Sequence, residues 1–108
     1  MKKEELIRVF VKNPGQAPHM EIIQNTLKAF QEIVGGYIEA VTPFEDVALI
    51  VNEEGRINGM PFNCWYLGES FFGTMVFVGV DGEEFVSMPG SFKDFKEHNK
   101  ELWNVEGR

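Results

Sequence analysis

Residues 74–86, TMVFVGVDGEEFV, hold the pattern that decides the fold. Two runs rich in β-branched and aromatic residues, TMVFVGV and EEFVSM, flank the pair Asp81-Gly82. An Asp-Gly pair in this setting is typical of a two-residue type I′ hairpin. We expect this hairpin to form the core of a β-sheet.

Further strands are predicted on the N-terminal side of the hairpin. In LIRVFVK, Ile7, Val9 and Val11 recur at every second position, the period of a strand with one face toward a core. NPGQAP then has turn chemistry, and HMEIIQ predicts a short second strand. YIEAVT and DVALIVN predict two more strands, separated by PFE, where Pro43 interrupts pairing.

Two segments have the apolar spacing of a helix. The first, at about 26–34, begins near Asn25 or Thr26, which can cap the free backbone donors of a first turn, and two glycines are suited to ending it. The second, at about 91–103, begins with Ser91 as its N-cap and packs an apolar stripe on the sheet.

The length of the chain limits the number of domains. With 108 residues, 44% of them hydrophobic, it is long enough for one core and too short for two. We predict a single α+β domain over 1–108. Its sheet is mostly antiparallel with about five or six strands, and it carries one central and one C-terminal helix.

Residue usage also predicts the compartment. The single cysteine, Cys64, cannot form an internal disulfide, and MKKEELIRVFVKN is too charged for a secretory signal. No run approaches the roughly 18 apolar residues of a membrane helix. We expect a cytoplasmic protein that does not enter a membrane.

The net charge of −7 is concentrated in the middle of the chain. Between Ala29 and Phe92 a single basic residue, Arg56, stands against ten acidic residues, which leaves −9. Because nucleic-acid binding depends on lysines and arginines, direct binding of nucleic acid is disfavoured and a basic protein partner fits better. The alternative interpretation is that the acidic surface simply keeps a small protein soluble.

Residues with catalytic or metal-binding chemistry are few. His19, His98 and Cys64 are widely separated, and zinc needs three or four such ligands. Cys64 lies in FNCWYLG, where aromatic and acidic surroundings raise a thiol pKa and favour a buried structural role. DGEEF lacks the calcium-loop pattern, and no phosphate-binding or dinucleotide glycine motif is present. We predict no enzymatic activity, no metal and no cofactor.

Three acidic pairs lie at predicted turns or strand ends, where polar residues are also common for purely structural reasons. As protein-binding residues for a basic groove we predict Glu45, Asp46, Glu53, Glu54, Glu83 and Glu84. An alternative is a small-ligand site, for a nucleotide signal, built from aromatic residues that could instead be core: Phe62, Trp65, Tyr66, Phe71 and Phe72. A third possibility is an interaction module whose sheet edge pairs with a partner strand or with a second copy as a homodimer.

NEEGRINGMPFN, residues 52–63, is interpreted as structural. It predicts a turn after VALIVN in which Gly55 takes a positive φ and Ile57 resumes a return strand. The side chains of Asn52 and Asn63 are expected to bond nearby backbone.

Four motifs in order carry a family resemblance: G-G-Y-I-E at 35–39, N-E-E-G at 52–55, G-x-P-x-N at 59–63 and a strand led by Gly73. Over about Leu6 to Met88 the chain resembles an uncharacterised domain family of phage, plasmid and conjugative-element proteins from Gram-positive, Firmicutes-type bacteria. The aromatic segment CWYLGESFF departs from that pattern.

The resemblance implies an accessory protein of a mobile genetic element and supplies no catalytic residues. Small acidic proteins of such elements are often inhibitors of host defence, including anti-CRISPR and anti-restriction proteins. The predicted function is therefore binding and inhibition of a basic, nucleic-acid-handling host protein.

Overall fold

Eight strands and two α-helices make up residues 5–105, the part of the chain that a computed structural model describes. The elements are β1 (Leu6–Lys12), β2 (His19–Gln24), α1 (Leu27–Val34), β3 (Ile38–Phe44), β4 (Val47–Asn52), β5 (Phe62–Tyr66), β6 (Glu69–Phe72), β7 (Met75–Asp81), β8 (Glu84–Val86), α2 (Phe92–His98) and a 3-10 helix (Lys100–Trp103). The predicted α+β class is confirmed.

Six of the strands form one antiparallel sheet in the order β2-β1-β7-β4-β3, with β8 beside the second half of β7. The predicted Asp-Gly hairpin is present, since Asp81 of β7 pairs with Glu84 of β8. β7 is the central strand, as expected of the hairpin. β8 is short and pairs with β7 over only three residues.

Apolar side chains cover both faces of the sheet. α1 packs on one face through Phe30 and Val34. The other face is covered by α2, by the 3-10 helix and by a separate two-stranded sheet of β5 and β6, the β5–β6 ribbon. The sheet is therefore the middle of three layers, and β4 is buried at all six positions.

The prediction that β1 has only one buried face is wrong. Phe10 is fully buried on the second face, where its ring lies 5.0 Å from Phe92 and 4.9 Å from Phe95. Lys12 is also buried on that side. Packing of α2 on Phe10 and of the β5–β6 ribbon on Lys12 is the cause, and the alternation of residues in β1 does not predict either contact.

Both predicted N-caps are present. The hydroxyl of Thr26 accepts a hydrogen bond from the Ala29 amide at 3.1 Å, and that of Ser91 accepts from the Asp94 amide at 3.0 Å. α1 ends at Gly35, in the left-handed region. The predicted helix at 91–103 instead ends at His98, because Asn99 leaves helical geometry and its buried side chain bonds the Phe95 carbonyl and the Tyr66 hydroxyl.

Three predictions for the connections of β4 are wrong. Residues 53–59 are turns, so Ile57 forms no return strand and its side chain is 82% exposed. Gly55 is not in the left-handed region; a Cβ there would lie 2.8 Å from the Phe72 carbonyl oxygen. Pro43, expected to separate two strands, lies within β3, at a shift in its register against β4.

Candidate functional site

The β5–β6 ribbon divides its aromatic residues between its two faces. Tyr66 and Phe71 point inward and are buried, with the Tyr66 ring 5.5 Å from that of Phe77. Phe62 and Trp65 point outward and are 38% and 67% exposed. The five residues of the predicted ligand site thus do not line one pocket, since two of them belong to the core.

The outward aromatic residues adjoin Arg56. Its guanidinium carbon lies 4.7 Å from the centre of the Phe72 ring, and its Nη2 donates to the Ser70 hydroxyl at 2.5 Å. Ser70 is directly opposite Trp65 across the ribbon, so both lie on the same outer face. We call Arg56, Phe62, Trp65 and Phe72 the aromatic ledge.

A cleft of about 180 Å³ lies between the ribbon and the β3–β4 pair. Val41, Val51 and Phe71 contribute its apolar lining, and Arg56 lies along it. Three exposed carboxylates also line it: Glu39, Glu53 and Glu69. None of the three forms an ion pair with any other residue within 5–105, so the cleft is acidic around a single cation.

Leu67 forms the tip of the ribbon together with Gly68, in a two-residue connection in which both residues have positive φ. For glycine this geometry is free of strain, whereas for leucine it costs on the order of 1 kcal/mol. Asn-Gly is the usual choice at such a turn. Leu67 is also 58% exposed, so neither its backbone nor its side chain is explained by the stability of the fold.

A buried clasp between Asn63 and β1 joins the ribbon to the sheet. The Asn63 amide nitrogen donates to the carbonyls of Lys12 at 2.9 Å and Gly73 at 2.7 Å, and its oxygen accepts from Lys12 Nζ at 2.6 Å. The expectation of nearby backbone partners fails here, because Lys12 is 51 residues away.

For Asn52 the same expectation holds in part. Its side chain accepts a hydrogen bond from the Glu54 amide but donates to the distant Val34 carbonyl.

The side chains of Cys64 and Tyr66 lie on the inner face of the ribbon. Burial raises the pKa of the Cys64 thiol, against the opposing effect of Lys12, as the sequence predicted. The thiol donates to the Met75 sulfur at 3.5 Å and is half-buried. Burial also raises the pKa of Tyr66 to about 12, and its hydroxyl donates to Asn99 at 2.8 Å. Both groups are held in their protonated forms, the opposite of what an activated nucleophile requires.

The histidines belong to other parts of the surface. His19 contacts Glu21 at 2.5 Å on β2, and His98 Nδ1 bonds the Asp94 carbonyl at 2.8 Å on α2. Within 5–105, no three His, Cys, Asp or Glu side chains come close enough together to hold a metal ion. No helix in the same range is long and apolar enough to cross a membrane.

The six predicted acidic residues lie at two opposite ends of the sheet. The Glu45-Asp46 turn adjoins the β7–β8 hairpin, since the Asp46 carbonyl accepts from the Val80 amide at 2.9 Å. One end therefore carries an acidic cluster, which we call the hairpin end: Glu45, Asp46, Asp81, Glu83 and Glu84. Glu53 and Glu54 follow the far end of β4, about 20 Å away for a six-residue strand.

Several residues of the site were missed by sequence reasoning. Glu39 and Glu69 join Glu53 only because the ribbon folds back over β3 and β4. Arg56 could have been found as the single cation of an acidic segment. A further signal was the pair Leu67-Gly68, flanked by the aromatic runs CWY and ESFF, which resembles two strands joined by a two-residue turn.

Comparisons with known proteins bear on the family alone. The family described as a domain of unknown function, DUF3846, matches residues 7–100. The match includes α2, beyond the limit at Met88 expected from the motifs. No curated protein matches the chain. No solved structure matches it either.

Proposed function

Since the chain belongs to DUF3846, a family of domains of unknown function, we propose its function from its own surface. We propose that it is a small, non-enzymatic, cytoplasmic accessory protein of a mobile genetic element of Gram-positive bacteria. In this proposal it binds and inhibits a basic, nucleic-acid-handling host protein, such as a CRISPR or restriction component.

The observation that carries the proposal is the aromatic ledge beside the acidic cleft. Exposed tryptophan and arginine are the residue types that dominate binding energy in protein interfaces. Of the ten large hydrophobic residues that are exposed within residues 5–105, four lie between positions 57 and 67: Ile57, Phe62, Trp65 and Leu67. Contact with an apolar residue of a partner would remove these side chains from water, which is favourable.

Charge decides which class of partner fits. Glu39, Glu53 and Glu69 line the cleft against one arginine, so a segment bearing lysine or arginine is attracted to it and a phosphate backbone is repelled. A cationic side chain of the partner can also lie over the exposed Trp65 ring. The hairpin end contributes at longer range, by raising the rate of encounter with a basic protein.

The unusual tip of the ribbon supports the same surface. Leu67 combines a strained backbone with an exposed apolar side chain, and residues held in strained conformations cluster at functional sites. Contact with a partner would bury this side chain and so offset the cost of its exposure.

The test uses two triple variants that remove the same number of charges. One carries Glu39→Gln, Glu53→Gln and Glu69→Gln at the cleft; its control carries Glu45→Gln, Asp46→Asn and Glu83→Gln at the hairpin end. Tagged wild type, both triples and Trp65→Ala are used to capture proteins from lysate of a Gram-positive host, followed by titration of the purified partner. We expect the cleft triple and Trp65→Ala each to weaken binding at least tenfold, mainly through faster dissociation, and the control triple mainly to slow association.

Inhibition is measured separately, as loss of nucleic-acid cleavage or binding by that partner. The proposal fails if the partner neither handles nucleic acid nor loses activity. The assignment of the surface fails if the cleft triple and Trp65→Ala bind like wild type.

The nucleotide-signal alternative rests on Trp65 as a stacking platform, but its phosphates would meet the three cleft carboxylates. A larger cavity, about 440 Å³, lies elsewhere, between the β3–β4 turn and α2, with Phe44, Met88 and Phe95 in its lining. A thermal-shift screen with nucleotides and cyclic dinucleotides tests both places, since a bound ligand raises the Tm by mass action.

A further inference from the structure

The outer edge of β2 has backbone groups available for another strand. The Asn25 amide donates to the Glu5 carbonyl at 2.9 Å, and the register places Leu6 opposite Gln24. Since bonded and non-bonded pairs alternate in antiparallel sheets, the N–H and C=O groups of Met20, Ile22 and Gln24 point away from β1. Among these groups, the Gln24 carbonyl is the only one with a backbone partner within residues 5–105, the Thr26 amide. Within residues 5–105, no strand lies beyond β2.

β2 has few of the features that protect sheet edges, and Glu21 is its one acidic side chain. It is six residues long, pairs with β1 in a continuous register, and contains no proline, lysine or bulge. The opposite edge, β3, is protected by Pro43 and by its register shift. Met20 and Ile22 are 49% and 59% exposed on the ribbon side of β2, and Leu6, on β1, is also 59% exposed.

The charged residues around β2 favour a second copy of this chain, rather than the basic partner proposed above, as the occupant of this edge. Around β2, Glu5, Glu21 and Glu32 are offset by Arg8 and Lys28, and Glu21 contacts His19. A basic protein is therefore attracted to the cleft and the hairpin end rather than to β2. For another copy of this acidic chain, in contrast, β2 is the sheet edge with the least repulsion.

We propose that β2 is a self-association edge, at which two copies join their sheets antiparallel about a two-fold axis through Ile22. This register places each Ile22 opposite its equivalent and each Met20 opposite Gln24 of the second copy. It forms four backbone hydrogen bonds without the Gln24 carbonyl. Glu21 then lies opposite Ile23, so no like charges are directly opposed.

The pairing also brings the exposed apolar side chains of Met20 and Ile22 from both copies together on one face. Across β1 and β2, Leu6 lies opposite Gln24, Arg8 opposite Ile22 and the buried Phe10 opposite Met20. The two-fold operation aligns these rows with those of the second copy, with the two Ile22 side chains at the centre. The inference is independent of the proposed function, because it involves neither the ledge nor the cleft.

The test measures molar mass by sedimentation equilibrium from micromolar to millimolar concentration. We expect wild type to move from the 12.3 kDa chain toward twice that mass, more readily at higher salt, because both copies are acidic. Ile22→Lys should raise the dissociation constant at least tenfold, since it opposes two ammonium groups at the axis. Leu27→Lys, at a position on α1 that is also 59% exposed, is the matched control and should associate like wild type.

Two further readouts separate this pairing from other associations. Mixing Ile22→Lys with Ile22→Glu should restore a one-to-one dimer, as only a self-paired position can. The amides of Met20, Ile22 and Gln24 should become protected from hydrogen exchange as concentration rises. A wild type that stays monomeric at millimolar concentration would overturn the proposal, as would association unaffected by Ile22→Lys, no rescue in the mixture, or protection confined to β3.

Discussion

Leu67 destabilises the fold through both its backbone conformation and the exposure of its apolar side chain. Its φ of 51° belongs to the left-handed region, where a side chain with a Cβ crowds the following carbonyl, and its apolar side chain is mostly in water. Natural proteins tolerate such costs chiefly where the residue has another role. Leu67 is therefore the position at which stability and binding can be separated most cleanly.

Replacing Leu67 with asparagine should stabilise the fold and weaken partner binding together. Asparagine tolerates positive φ and completes an Asn-Gly turn, so we expect the free energy of unfolding to rise by about 0.5–1 kcal/mol in urea titrations. The same variant should bind the captured partner less tightly than wild type. A variant that is stabilised yet binds normally would remove Leu67 from the interface.

The raised pKa of Tyr66 predicts that the free energy of unfolding depends on pH in the alkaline range. Burial, with the charges of Glu101 and Cys64 adding to it, raises the pKa of Tyr66 from 10 to about 12. Because the folded protein holds this proton more tightly than the unfolded chain does, the stabilisation is complete below pH 10 and is lost as pH rises toward 12. Over that range wild type should lose roughly 2 kcal/mol more than Tyr66→Phe.

The measurement is urea unfolding at several pH values for wild type, Tyr66→Phe and Tyr37→Phe. At neutral pH, Tyr66→Phe should be less stable by about 1 kcal/mol, because the hydrogen bond to Asn99 is lost. The exposed Tyr37 serves as the control and should follow wild type. Parallel curves for wild type and Tyr66→Phe would contradict the assignment.

Residues whose partners are local could be predicted from sequence. Thr26 and Ser91 are caps because each bonds an amide three residues ahead, which the residue types and spacing alone indicate. Asn63 and Gly55 could not be interpreted in this way. The Lys12 side chain that bonds Asn63, and the Phe72 carbonyl that leaves no room for a Cβ at Gly55, are brought near only by the packing of the ribbon on the sheet.

At the scale of elements, the ribbon is what the sequence failed to predict. Leu67-Gly68 lacks the usual turn signal, and a register shift between Phe62 and Cys64 breaks the alternation of β5. The aromatic residues of both ribbon faces then look like one hydrophobic run. Sequence alone therefore offered two exclusive interpretations, core or ligand site, where the structure has core on one face and an exposed ledge on the other.

The attachment of the ribbon should depend on the Asn63 clasp. Asn63→Ala leaves two buried carbonyls without their donor and takes an acceptor from the buried Lys12 ammonium, so we expect a loss of about 2–4 kcal/mol in stability. Hydrogen exchange should show the amides of β5 and β6 losing protection before those of β7, because the clasp joins ribbon to sheet.

Asn58→Ala provides the control for the clasp. Asn58 is exposed and its side chain forms no hydrogen bond with residues 5–105, so its loss should change stability by less than about 0.5 kcal/mol. Equal effects of the two substitutions would show that the clasp contributes little and that apolar packing alone holds the ribbon.

At the scale of the whole molecule, the order of the strands in the sheet determines where the excess negative charge lies. Antiparallel pairing of β4 with β7 brings the Glu45-Asp46 turn beside Asp81 and sends Glu53 to the opposite end. The charge imbalance was visible in the sequence, but its division between two ends follows from strand order, which composition does not encode. Two acidic regions result, one beside the aromatic ledge and the other at the β3–β4 and β7–β8 turns.

The hairpin end should make the stability of the fold sensitive to salt. Its five carboxylates form no ion pair with residues 5–105, so they repel one another, and screening by NaCl relieves that repulsion. Raising NaCl from about 20 to about 200 mM should increase the Tm by roughly 2–5 °C in calorimetry. The triple variant Glu45→Gln, Asp46→Asn and Glu83→Gln should melt higher than wild type at low salt and respond less to added salt.

A second triple distinguishes local repulsion from net charge. Glu32→Gln, Glu54→Gln and Glu97→Gln remove the same charge from three separate, exposed positions. If repulsion within the hairpin end dominates, this triple should retain most of the salt dependence of wild type, because the five clustered carboxylates remain. Equal salt responses of the two triples would assign the effect to the net charge of −7 as a whole, and the hairpin end would then be no more strained than the rest of the surface.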